Sequence, residues 1–210
     1  MRKPSLFVLG DSISMHYGPF LKQYLKGVFD YDRKREKGIS KQALSKPVGA
    51  NGGDSSLVLK YLRGQKQKKK LNYDFMLINC GLHDIKTDSI TGKKQVPLLE
   101  YKNNLSLILK LLKKTGIKLF WVRITPVEDK IHNFRCKSFF RFNRDVNKYN
   151  KAADKFMKKY KVSIIDLNTF TRNTGKRLFL DHVHFNKNIR VLQAAFISGF
   201  LLKEAGIKYK

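Results

Sequence analysis

Along the 210 residues, short unbroken apolar runs alternate with longer segments in which apolar positions recur every three or four residues. Runs of the first kind read as buried strands, and segments of the second kind as amphipathic helices. Leu6, Phe7, Val8 and Leu9 form the first run, which stops at Gly10. Residues 73–80, 118–124 and 162–166 predict three further strands, and the polar, basic stretch 30–47 holds a short or poorly formed one. Phe20, Leu21, Tyr24, Leu25 and Val28 predict a helix over residues 17–29. A glycine-rich bend at Gly49, Gly52 and Gly53 leads into a helix through Leu57, Leu59 and Leu62. Tyr101, Leu105, Ile108, Leu109 and Leu112 share one side of a helix over 100–114, with Gly116 as its stop. Residues 143–159 and 187–202 predict two long helices. Residues 66–70 and 89–97 read as solvated loops, and residues 128–142 as an irregular aromatic stretch containing Phe134, Phe139 and Phe140.

Strands separated by helices indicate a mostly parallel central sheet covered on both faces, a three-layer α/β/α arrangement. No internal repeat or clear linker divides the chain, so residues 1–210 read as one domain. In this architecture strand ends converge on one edge of the sheet, where ligands bind. Four such ends carry polar candidates: Asp11-Ser12, the segment Asn51 to Ser55, His83-Asp84, and Asp181 to His184.

Composition changes this picture in one respect. Forty-four Lys and Arg against sixteen Asp and Glu give a formal net charge of +28, which should attract anions such as acidic glycans, lipid headgroups or nucleic acid. The lysines are spread along the chain, however, and no nucleic-acid motif accompanies them. No run approaches the roughly 20 apolar residues of a transmembrane helix. The N-terminal apolar run is a strand rather than a signal peptide, so a cytoplasmic location is expected, with Cys80 and Cys136 as free thiols. The glycines follow neither the dinucleotide nor the phosphate-loop spacing, so no cofactor is expected, and no cysteine cluster suggests a metal.

The converging residues permit acyl-transfer chemistry. A serine attacks an acyl carbon when a histidine takes its proton, and a carboxylate fixes the histidine tautomer. Asp181 and His184 are spaced to aim at one point, toward Ser12. Backbone N–H groups at Ser12 and Gly53 are candidate oxyanion donors, with a ring N–H of His83 as a third. Taken alone, Gly10-Asp11-Ser12 reads equally well as an ordinary helix start with Ser12 as cap.

The blocks Gly10-Asp11-Ser12, Asn51-Gly52-Gly53-Asp54-Ser55 and Asp181-x-x-His184 resemble those of the SGNH (GDSL-type) hydrolases, in family order and over nearly the whole chain. The resemblance implies a flavodoxin-like fold, Ser12 as nucleophile, Asp181 and His184 as acid and base, and Gly53 as an oxyanion donor. His182 is then a neighbour of the base; His16 and His132 have no motif around them. The third block departs from the pattern. The family usually has Gly-x-Asn-Asp with the Asn amide in the oxyanion hole, whereas this chain has Gly81-Leu82-His83-Asp84. Imidazole can also donate, so three readings stand: a working substitute, a site retuned for an unusual substrate, or lost activity. Asp84 is expected to cap the following turn and brace this loop.

The expectation is a serine esterase acting on short acyl esters, above all O-acetyl groups on a carbohydrate, an anionic one given the charge. A lysophospholipase or thioesterase, or a non-catalytic anion-binding module on the same scaffold, are the alternatives. Natural alcohol, acyl length and oligomeric state are not encoded legibly.

Overall fold

A computed structural model describes residues 2–35 and 48–207. The predicted surface excursion through Lys37, Lys41 and Lys46 lies outside the described residues. In chain order the elements are β1 (Ser5–Leu9), α1 (Ser12–Tyr24), β2 (Asp30–Arg33), α2 (Ser55–Gln67), β3 (Phe75–Ile78), β4 (Thr87–Asp88) and α3 (Leu98–Lys113). There follow β5 (Lys118–Val122), α4 (Asp129–Arg135), β6 (Phe139–Phe140), α5 (Asn143–Lys159), β7 (Ser163–Ile165), α6 (Leu167–Arg172) and α7 (Lys187–Glu204).

The main sheet has five parallel strands in the order β2-β1-β3-β5-β7. Its strands read as unbroken apolar runs because both faces are covered: Leu6, Phe7, Val8 and Leu9 of β1 are all buried. Helices form two layers, α7 packing against α1 and α6, and α3 packing between α2 and α5. This is the expected α/β/α sandwich in flavodoxin-like strand order. That order reverses direction between β1 and β3, and such a switch point leaves a crevice beyond the carboxyl ends of the two strands. The first and third blocks follow β1 and β3 directly.

Several elements differ from the sequence reading. α1 starts at Ser12 rather than residue 17, because the Asp11 side chain accepts from the Ile13 N–H and Ile13, Tyr17 and Leu21 form a buried i, i+4, i+8 stripe. It ends at Tyr24 rather than residue 29, ahead of Gly27 with φ of 86°. Residues 128–142 are not irregular. They hold α4 and then β6, which pairs antiparallel with β4 through Thr87–Phe140 and Asp88–Phe139. A two-residue strand has no periodicity of its own, and this one exists only through that distant partner. The six-residue helix α6, capped by Asp166 on the Thr169 N–H, was also unpredicted. α5 matches its expected bounds, with Val146, Tyr149, Ala153 and Met157 buried on one face. Among the described residues no helix is long and apolar enough to cross a membrane.

Candidate active site

Each block is locked by local chemistry before it meets the others. Ser12 is the first residue of α1, buried, and its own N–H has no acceptor among the described residues. Asp11 beside it is fully buried. Desolvation raises its carboxyl above the ordinary value, opposed by the Ile13 N–H and by the positive charge of Arg141. The second block is tied to the first by the Gly52 N–H, which donates to the Gly10 carbonyl at 2.8 Å. A Cβ on Gly52 would stand 3.1 Å from that same oxygen, so only glycine lets the two backbones approach so closely.

Gly53 follows with φ of 72°. Its N–H donates to Asn51 Oδ1 at 2.9 Å, so the expected oxyanion donor already has an acceptor. Asp54 caps α2 by accepting from the Leu57 N–H at 3.0 Å.

The third block begins at Gly81, where φ is 135° and a Cβ would collide with Ile124. His83 is buried at 2 % exposure and its Nδ1 has no hydrogen-bond partner. Burial lowers its pKa well below the ordinary histidine value, and the positive charges of Lys86 and Arg141 push the same way. The ring is therefore neutral at neutral pH, with one N–H to give. Asp84 does not cap its own turn as expected. Both of its oxygens accept from the Ser55 N–H, at 3.0 and 3.1 Å, clamping the third block onto the start of α2. The bracing part of that expectation stands, with a partner 29 residues away.

The last block is a tight loop. Asp181 Oδ1 accepts from the Val183 and His184 N–H groups at 2.8 and 2.7 Å. Asp181 Oδ2 lies 2.7 Å from His184 Nδ1, and His184 Nε2 lies 3.0 Å from Ser12 Oγ. Burial tends to raise the Asp181 carboxyl, but the two backbone N–H groups and the imidazole hold it down to about 2. An ionised carboxylate can only accept, so the Nδ1 of His184 carries the proton of this bond. In the neutral ring Nε2 then accepts from the Ser12 hydroxyl.

Ser12, His184 and Asp181 are thus brought into one hydrogen-bonded line. His182 stands aside, as expected, its ring packed on His132 with centroids 4.7 Å apart. His16, which had no motif, lies with its ring 4.6 Å from that of His184. Desolvation, and then nearby basic groups including Arg190, lower its pKa to about 4. Arg141 was not singled out from the sequence at all. It is buried, with Nε on the Leu82 carbonyl at 2.8 Å and one terminal nitrogen 2.9 Å from His132 Nε2. The only local signal was an arginine set among Phe139, Phe140 and Phe142. Cys80 and Cys136 are free, and burial pushes the Cys80 thiol well above its usual value. No three His, Cys, Asp or Glu side chains among the described residues are grouped to hold a metal ion.

The model of the GDSL-like lipase/acylhydrolase family matches residues 6–195, which takes in all four blocks. The chain belongs to that family. Solved GDSL-type structures share its fold. A lipase/acylhydrolase from Enterococcus faecalis superposes with a TM-score of 0.68 at 15% identity, covering 99% of this chain and 98% of the other. An acetyl xylan esterase gives 0.67 at 17% identity, covering 94% and 99%. The psychrotrophic esterase EstA from Pseudoalteromonas sp. gives 0.63 at 15% identity, covering 97% and 100%. No curated protein matches the chain significantly in sequence. GDSL-family membership accounts for the blocks at β1 and β3, and it makes the histidine at position 83 a feature of this chain to be explained.

Proposed function

We propose that the protein is a serine esterase that removes short acyl groups, with O-acetyl esters of a carbohydrate as its substrate class. The observation that carries this reading is the line from Asp181 through His184 to Ser12, with links of 2.7 and 3.0 Å. Ser12 Oγ attacks the ester carbonyl while His184 Nε2 takes its proton. The C–O bond to the alcohol then breaks as the imidazolium returns that proton to the leaving oxygen, and water repeats the sequence to release the acid. Asp181 holds the Nδ1–H tautomer and balances the imidazolium charge. The Ser12 and Gly53 N–H groups and the neutral His83 ring serve the developing oxyanion, Gly53 exchanging Asn51 Oδ1 for it.

The acetyl xylan esterase among the structural neighbours supports an acetylated sugar, and the +28 charge supports an anionic one. A non-catalytic anion-binding module would share the charge but has no use for the aligned Ser12 and His184. Acetate release from an aryl acetate and from acetylated neutral and acidic oligosaccharides, by wild type and Ser12→Ala, tests the reading. Turnover abolished in the variant is expected; equal rates would remove Ser12 as the nucleophile.

A further inference from the structure

Arg141 is a buried cation with an unusual set of neighbours. The residue is 4 % exposed, and its guanidinium forms no ion pair with a carboxylate among the described residues. Instead Nε donates to the carbonyl of Leu82, the residue before His83, at 2.8 Å. A terminal nitrogen meets His132 Nε2 at 2.9 Å, and the His132 ring packs on His182, next to Asp181. Phe139 lies under the guanidinium at 4.9 Å and under Lys86 Nζ at 4.6 Å, so the second nearby cation is not a counter-ion either. Desolvation pulls the guanidinium down to about 10, offset mainly by the charge of Asp11 beside Ser12. A buried charge without a carboxylate in contact carries a desolvation cost that its neutral hydrogen-bond partners offset only in part. The fixed negative group it feels is Asp11 at the end of β1, beside the serine at which the proposed reaction develops its own negative charge.

We propose that Arg141 is a positioning residue for the oxyanion side of this site. It pins the Leu82 carbonyl, and so the loop that presents His83, and sets a positive charge behind that loop where the family's usual Asn amide is absent. Lacking that amide, the site relies on an imidazole whose ring nitrogen Nδ1 has no partner to orient it. Orientation then has to come from the backbone on which the ring is mounted, and Arg141 holds that backbone. The assignment rests on the esterase reading above.

The test compares Arg141→Met and Arg141→Lys with wild type on an aryl acetate, alone and in a His83→Ala background, with melting temperatures alongside. Arg141→Met is expected to lower kcat by about tenfold or more with KM within about twofold, since the donor ring it positions is then misplaced for the transition state while substrate binding is kept. Its melting temperature should stay within a few degrees of wild type, the lost bonds to the Leu82 carbonyl and His132 being offset by removal of a buried charge, and Arg141→Lys should recover most of the rate. In the His83→Ala background the cost of Arg141→Met should shrink to about twofold, because both changes act on one element. Wild-type kcat in Arg141→Met, an undiminished cost beside His83→Ala, or a rate loss tracking a lowered melting temperature would each overturn the assignment. Wild type without Ser12-dependent turnover would overturn the esterase reading itself.

Discussion

The two loops that flank Ser12 are built on opposite principles. The loop carrying Asp181 and His184 is almost self-sufficient. The side-chain bonds of Asp181 run to residues two or three apart, and both of its carboxylate oxygens are engaged within the loop. The loop carrying His83 depends on others: Asp84 on Ser55 in α2, the Leu82 carbonyl on Arg141, and Gly81 on the space left by Ile124. The proposed acid–base pair can therefore be read from four consecutive residues. The proposed oxyanion side takes shape only once the sheet, α2 and the β4–β6 excursion have assembled. Locally encoded geometry tolerates drift elsewhere in the chain, whereas geometry assembled from distant parts can be retuned by any one of them.

That contrast can be broken at several points. The largest loss is expected from Ser12→Ala, which should lower acetate release by about four orders of magnitude or more. Asp181→Asn should follow closely, about 10⁴-fold in kcat, because the amide can stabilise the wrong tautomer of His184. Both effects should leave denaturant midpoints near wild type, as the loop keeps its backbone. His83→Ala should cost about 10²- to 10³-fold in kcat with little change in KM, and His83→Asn should restore much of it. Pre-steady-state acylation rates measure this, and an unchanged rate in His83→Ala would place the ring outside the oxyanion hole.

A smaller change, in stability rather than rate, is expected from Gly81→Ala. A φ of 135° and the collision with Ile124 should cost about 1–3 kcal/mol in urea unfolding. The smallest effect concerns pH. Burial lowers His16 and His132 to about 4 in the fold, from 6.5. Between those values each ring is protonated in the unfolded chain but not in the fold, so both contribute a loss of stability as pH falls from about 6.5 to 4, opposed in part by Asp84, whose carboxyl burial raises to about 7. Melting curves across that range should show the decline, and His132→Gln should flatten it by roughly a few degrees.

The main sheet was legible because its strands are buried on both faces and so appear as bare apolar runs. Ser12, Asp181 and His184 were legible because each sits in a short block whose spacing carries its chemistry. The start of α1 was misplaced because Asp11, a capping residue, stood inside a motif already read as catalytic. Helix α4, strand β6 and Arg141 went unread for a common reason. A seven-residue helix without a side-chain cap and a two-residue strand leave no periodic trace, and Arg141 acquires meaning only from the Leu82 carbonyl 59 residues away. The engaged state of the Gly53 amide was likewise invisible, since it depends on a side-chain orientation two residues back.

The bond from Gly53 to Asn51 Oδ1 has a consequence for selectivity under the proposed chemistry. An amide N–H that is already satisfied by a neutral oxygen gains little by turning to another neutral oxygen, such as a resting ester carbonyl. It gains a good deal by turning to an oxyanion, because charge-assisted hydrogen bonds are roughly twice as strong as neutral ones. Asn51 therefore acts as a threshold: the donor is withheld from bound substrate and released to the tetrahedral intermediate, which is the discrimination between ground and transition states on which rate depends.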